Sequence, residues 1–249
     1  MRSLILAVRF LTVVPVPGRE ATGPSALGRA AWWFPIVGLV LGVVLAFAGR
    51  AADGFFPPLV SAAVLVALWK GLSGAIHLDG LADSLDGLAG SDAARRLAIM
   101  RDSHIGVFGA AGLTMFLVLS VAAVADLAGP VRGPLLIVAP ALGRVTPLLA
   151  GAWLQPATPG QGLGAAFTAA LSRWAGPVHV VAGAVLATWL LGPWGLAIAA
   201  AAWAAALFWA VLATRRMGGL TGDLLGAVVE LTELVALLGG AAADHRGLI

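Results

Sequence analysis

Long apolar stretches separated by short polar ones set the pattern of this chain. Seven stand out, at about 31–48, 59–76, 105–127, 134–154, 176–192, 194–213 and 224–240. A helix crosses the hydrocarbon core of a bilayer in about 20 residues, so each stretch predicts a transmembrane helix, several near the lower limit of length. The run 176–213 is interrupted at Gly192-Pro193-Trp194-Gly195. A Gly-Pro break beside a tryptophan suited to the membrane interface predicts a tight hairpin tip. Before the first span, Met1 to Val16 mixes apolar residues with Arg2 and Arg9. It reads as an amphipathic segment lying in the interface, and it lacks the clean core and small-residue cleavage site of a signal peptide. The expected fold is all-α: a polytopic integral membrane protein of about seven transmembrane helices plus the interfacial segment, with residues 1–249 forming a single membrane-embedded catalytic domain.

Composition agrees with the pattern. Apolar residues make up 60% and charged residues 11% of the 249, against about 45–50% and about 25% in soluble domains. A soluble domain and a disordered chain are both excluded. Cysteine is absent, which removes disulfides, thiolate metal sites and cysteine nucleophiles. The net charge of +3 comes from scattered bases with no basic stripe carrying aromatics, so no nucleic-acid partner is expected. With the N-terminus in the cytoplasm, the cytoplasmic segments carry ten arginines, at positions 2, 9, 19, 29, 95, 96, 101, 173, 215 and 216. The opposite side carries three, Arg50, Arg132 and Arg246. This bias matches an odd number of spans in the cell (inner) membrane. Gly38 with Gly42, and Gly106, Gly109 and Gly112, have the spacing of small residues that let helices approach, and are read as packing.

With charges so scarce, their placement carries the chemistry. Five of the 12 acids lie between His77 and Asp102. Asp79, Asp83 and Asp86 are spaced i, i+4, i+7, within roughly 60° of one another on a helix. No base relieves their repulsion between Lys70 and Arg95. Hard carboxylate ligands without cysteine point to a divalent cation of the Mg²⁺ or Mn²⁺ type rather than zinc. Arg95, Arg96 and Arg101 follow, then Asp102-Ser103-His104. Carboxylates that hold a metal, followed by guanidiniums that clamp phosphate oxygens, are what phosphoryl transfer needs. His77 and His104 flank the run as candidate site or interface histidines. A second constellation holds Asp223, Glu230 and Glu233, with Glu230 about 9 Å and Glu233 about 14 Å into an apolar helix. An ionisable group at that depth is a functional candidate and should pair, and Arg144 is the expected partner of Glu230 or Glu233. The loop Gly160-Gln161-Gly162-Leu163-Gly164 has the flexibility of a phosphate cradle. All these groups fall on the cytoplasmic side, which suits an enzyme working at one membrane face better than a channel.

Three of these elements together resemble the cobalamin synthase family, the adenosylcobinamide-GDP ribazoletransferases. Gly74-Ala-Ile-His77-Leu-Asp79-Gly-Leu-Ala-Asp83-Ser-Leu-Asp86-Gly87 resembles the GG-x-HLDGLAD-x-x-DG signature, with Ser73 where a paired glycine often stands. Arg96-Leu-Ala-Ile-Met-Arg101-Asp102-Ser103-His104-Ile-Gly106 is similar to a second element. Thr221-Gly222-Asp223-Leu-Leu-Gly226-Ala-Val-Val-Glu230-Leu-Thr-Glu233 is similar to a third. Gly162-Leu-Gly164 and Phe10 to Pro17 match as well, so the resemblance runs the length of the chain.

The resemblance implies a membrane-bound, Mg²⁺-dependent transferase that joins adenosylcobinamide-GDP to α-ribazole, or its 5′-phosphate, and releases GMP. On that reading Asp79, Asp83 and Asp86 hold the metal. Those three and Asp102 are the catalytic candidates. His77, Arg95, Arg96, Arg101, Ser103, Asp223 and Glu230 are the substrate-binding candidates. The partners are the two substrates and the lipid bilayer, and a homo-oligomer is compatible with the chain. Two other readings are weaker. A CDP-alcohol phosphotransferase would share the start Asp83-Ser-Leu-Asp86-Gly87, but Gly90 stands where its motif has arginine and its second acidic element is missing. A cation-coupled transporter built on Arg144, Glu230 and Glu233 would need internal repeats, which the sequence lacks.

Overall fold

A computed structural model of the chain describes residues 1–23, 25–127 and 129–249, and these form helices with no strand among them. In order they are α1 (Arg2–Leu11), α2 (Ala26–Ala30), α3 (Phe34–Asp53), α4 (Pro58–Leu72), α5 (Ile76–Leu88), α6 (Ala93–Met100), α7 (Val107–Asp126), α8 (Gly129–Trp153), α9 (Gly162–Thr168), α10 (Ala175–Leu191), α11 (Pro193–Met217) and α12 (Gly222–His245). Every apolar stretch expected to span is helical. The protein is a multi-pass membrane protein, and the expected count of seven spans is not confirmed. Among the described residues, five helices are long and apolar enough to cross, those containing α3, α7, α8, α11 and α12. A sixth is reached only if α4 and α5 count as one span, and they are bent 90° apart at a short break. Helix α10 has 17 residues, about 26 Å at 1.5 Å per residue and short of a full hydrocarbon core.

Helix α8 is the hub, with 83% of its most apolar window buried against 28% for α7. Helices α3, α10 and α12 pack around it. The small-residue reading holds in α3: a Cβ at Gly42 would stand 2.7 Å from Ile137 Cα, so only glycine lets the two backbones meet there. In α7 the reading changes. Gly106 and Gly109 make room for the carboxylate of Asp86, and Gly112 faces the Leu85 side chain. Asp86 accepts from the backbone N–H groups of Gly106 (2.7 Å) and Gly109 (2.8 Å). These are orphan donors of the first turn of α7, where a negative charge also meets the positive end of the helix dipole. The spacing of three that looked like a packing stripe is in part the seat of a carboxylate.

The charges inside the bundle are paired. Lys70 Nζ, near the end of α4, lies 2.5 Å from Glu230 Oε2 and 2.7 Å from Glu233 Oε2. Arg144 Nη1 on α8 bonds the other oxygen of Glu233. Both glutamates and Arg144 are 1% exposed. Two positive and two negative groups close a neutral set that ties α4, α8 and α12 together. The expected pairing of Arg144 with one of the two glutamates is found, at Glu233, and Lys70 joins both. At the opposite end of α3 and α8, Arg132 bonds Asp53, which also accepts from Ser61 Oγ at 2.7 Å.

Two stability predictions follow from these seats. Arg144→Ala strands Glu233 among apolar side chains, and breaking a buried pair costs about 3–5 kcal/mol. The variant should give a lower yield and a lower thermal midpoint in detergent, and wild-type values for both would mean that Arg144 does not hold Glu233. Asp86→Asn keeps the size but loses a charge-assisted acceptor, with an expected cost of about 1–3 kcal/mol. Amide exchange at residues 106–110 should speed up in that variant, and unchanged exchange there would remove Asp86 from the end of α7.

Candidate active site

The site begins at the turn between α4 and α5. Gly74 has φ +62° and Ala75 has φ +54°, so two successive residues take the left-handed conformation. Glycine does so freely and alanine under strain. The turn sends α5 across α12 rather than onward along α4. The crossing is made through glycines. A Cβ at Gly80 would lie 2.7 Å from the Asp223 carbonyl oxygen, and one at Gly226 would lie 3.3 Å from His77 Cα. Thr221 accepts from the N–H of Leu224 at 3.1 Å and so fixes the start of α12 just ahead of Asp223.

Asp79, Asp83 and Asp223 meet at this crossing. Asp79 is exposed, and Asp83 and Asp223 are half-buried. The field at Asp83 carries repulsion from Asp79, Asp223 and Asp86, and that at Asp223 carries repulsion from Asp79. No base pairs with these three carboxylates among the described residues. As the side chains stand, no three His, Asp or Glu groups among the described residues converge as a metal cage. The donor set nevertheless fits a hard divalent cation: three carboxylates on two elements, mutually repelling and without a counter-ion.

The other expected residues divide. Asp86, placed with the metal ligands by its spacing, is buried and already accepts the two α7 amides. Arg101 borders a cleft of about 220 Å³ with Asp223, Thr158, Gln161 and Gly162. That cleft joins the end of α6, the glycine loop and the start of α12. The loop is held there by a two-residue bridge, with Leu220 N–H donating to Gln155 at 2.8 Å and Ala157 N–H to Leu220 at 3.0 Å. Arg96 is spent on the fold, donating to the carbonyls of Arg216 (2.9 Å) and Ser91 (3.4 Å). Arg95 is exposed; its backbone N–H donates to Asp92 at 2.9 Å and its charge acts on Asp102. Asp102 and Ser103 sit in an exposed turn. The His104 ring, 2.6 Å away, and the His104 N–H, at 3.0 Å, hold the Asp102 carboxyl below the usual carboxylate range, which weakens it as a base at neutral pH. Glu230, expected to hold substrate, lies in the buried charge network on Lys70. His77 is 5% exposed beside the charges of Arg144 and Lys70.

Sequence reasoning missed Thr158 and assigned no role of their own to Gln161, Thr221 and Lys70, which stood within or beside the motifs it singled out. Thr221 carried a readable signal, a threonine directly before an apolar helical run. Thr158 and Gln161 did not, because the bridge that seats them joins residues far apart in the chain.

Comparison with known proteins follows this geometry. The family model for cobalamin-5-phosphate synthase matches residues 3–241. An adenosylcobinamide-GDP ribazoletransferase of Pseudomonas paraeruginosa is 41% identical over 245 residues, covering 96% of this chain and 97% of that one. The one from Desulfitobacterium hafniense is 38% identical with 96% of each chain covered. The one from Roseiflexus sp. is 40% identical over 93% of this chain and 86% of its own. No solved structure matches. The match takes in α5, the α6–α7 turn and α12 together, the elements that build the acidic crossing, and the chain belongs to the cobalamin-5-phosphate synthase family.

Proposed function

We propose that the protein joins α-ribazole, or its 5′-phosphate, to adenosylcobinamide-GDP and releases GMP. The observation that carries this reading is the unpaired trio Asp79, Asp83 and Asp223, set beside the Arg101 cleft in a member of this family. A ribose hydroxyl oxygen that is free in both α-ribazole and its 5′-phosphate attacks the phosphorus that bears cobinamide. The bond from that phosphorus to the bridging oxygen breaks, and GMP leaves with the bridging oxygen. The hydroxyl proton passes to a carboxylate, for which Asp83 is the choice: it is half-buried at the crossing and pairs with no base among the described residues. Arg101 binds non-bridging phosphate oxygens. The glycine loop at 160–164, with Gly160 and Gly162 at positive φ, lets backbone approach the same phosphates.

Asp79, Asp83 and Asp223 would hold Mg²⁺, with Asp86 left at the end of α7. Bound there, the ion would supply charge neutralisation on the pyrophosphate. The remaining work belongs to the chain's own groups: positioning both substrates at the crossing and accepting the proton. The site is proposed to face the cytoplasm from the inner membrane, as the ten-to-three arginine bias favours.

Two experiments test this. Purified wild-type protein given a cobinamide-GDP substrate and α-ribazole should release GMP in a Mg²⁺-dependent manner. Asp79→Asn and Asp83→Asn should lower the rate by about 100-fold or more, since 1.36 kcal/mol is tenfold and metal charge stabilisation is worth several kcal/mol. Near-normal GMP release from both variants at low Mg²⁺ would sink the metal reading. Reporter fusions at Asp92 and Ala165 should read as cytoplasmic and one at Gly129 as exterior. An exterior reading at Asp92 would overturn the orientation.

A further inference from the structure

Behind the acidic crossing lies a second, smaller cavity of about 40 Å³ that the reaction above does not use. Its walls are apolar: Phe10 from α1, Phe34 from α3, Phe167 from α9, Ile76 from α5 and Leu225 from α12. The rings form a bank, with Phe10 and Phe34 stacked at 5.8 Å and 17°, and Phe34 and Phe167 at 5.9 Å. Two polar groups line it, His77 and Arg144, 5% and 1% exposed. Among the described residues, His77 Nδ1 and Arg144 Nε have no hydrogen-bond partner. Buried polar atoms are rarely left unpaired, and two on side chains that line one cavity point to a ligand there.

From this we infer that the cavity receives a flat heteroaromatic base with a ring-nitrogen acceptor and otherwise apolar edges, the chemistry of the dimethylbenzimidazole of α-ribazole. The assignment rests on the function proposed above. Arg144 Nε–H is always a donor, and a ring nitrogen is an acceptor it can satisfy. The three phenylalanine rings offer stacking and edge contacts to the faces and methyl groups of such a base. A phosphate does not suit apolar walls that strip its water. Guanine would carry several polar edge groups into a cavity with two polar atoms and leave the rest unpaired. The position agrees as well. His77 is two residues before Asp79 on α5, and Gly222 borders both this cavity and the Arg101 cleft, so a ribose attached to the base would reach the carboxylates. Leu163 also borders both and packs over Gly222, where a Cβ would stand 2.8 Å from Leu163 Cδ2. The cavity is smaller than a two-ring base, so the Leu163 side chain, itself exposed on the glycine loop, moves aside when the base enters.

The test uses the full-length protein in detergent. Leu225→Phe fills the cavity. It should raise KM for α-ribazole at least tenfold and leave KM for the cobinamide-GDP substrate within twofold. Should that variant fail to fold, Phe167→Leu widens the cavity instead and should raise the kcat/KM of a larger-ring riboside relative to α-ribazole at least fivefold. Saturation-transfer NMR with free 5,6-dimethylbenzimidazole reads binding without turnover, and the signal should appear on wild-type protein and be lost on the filled variant. A folded Leu225→Phe protein with an unchanged KM for α-ribazole, or with the rise falling on cobinamide-GDP, overturns the assignment. So does an unchanged base preference in Phe167→Leu. A wild-type protein that binds the base but releases no GMP would refute the proposed reaction and leave the base site standing.

Discussion

A charge enclosed among apolar helices must meet its opposite or a bound ion. That constraint sorts the acids of this protein into three kinds. Glu230 and Glu233 meet Lys70 and Arg144 and lock three helices. Asp86 meets the amide end of α7. Among the described residues, Asp79, Asp83 and Asp223 meet no base and repel one another. The paired groups hold the scaffold, and the unpaired ones are those proposed to meet substrate and cation. Site and scaffold are therefore close in sequence and in space, with Asp86 three residues from Asp83 and Glu230 seven from Asp223, yet they do different work.

The same economy shapes the backbone. A left-handed alanine and a 90° bend are costly local features. They turn the polar helix α5 off the line of α4 and onto α12. Glycines at 80 and 226 then bring the two backbones close enough for carboxylates of both helices to face one volume. The charge network beneath includes Lys70, five residues before the strained Ala75, and Glu230, four residues after Gly226. Packing energy and ion pairing on the buried side thus fix the geometry on the open side.

Much of this was legible in the chain. All seven apolar stretches are helices, because hydrophobic runs of that length have few other ways to satisfy their backbone. The burial of Glu230 and Glu233 and the need for Arg144 followed from their depth in an apolar helix. The sharp bend at Gly74-Ala75, which leaves the count of spans unconfirmed, was not legible, because length and hydropathy alone do not show it. Spacing put Asp79, Asp83 and Asp86 on one face, but could not show that the α7 amides come round to claim Asp86. Arg96 was read as a phosphate ligand because its shorter bond, to the carbonyl of Arg216, is set by a contact across 120 residues, with the local carbonyl of Ser91 as its second acceptor. The cleft at Thr158 and Gln161 depends on a single long-range bridge, and no local pattern announces it.

The central claim is that the three unpaired carboxylates form one cation-binding unit, distinct from the carboxylate that caps α7. Mn²⁺ titration followed by electron paramagnetic resonance on the purified protein tests this without reference to turnover. The account predicts immobilised Mn²⁺ on the wild type that Mg²⁺ displaces, at least tenfold weaker binding in Asp79→Asn and Asp223→Asn, and near-wild-type affinity in folded Asp86→Asn. Equal affinity in all four proteins, or loss in Asp86→Asn alone, would contradict it.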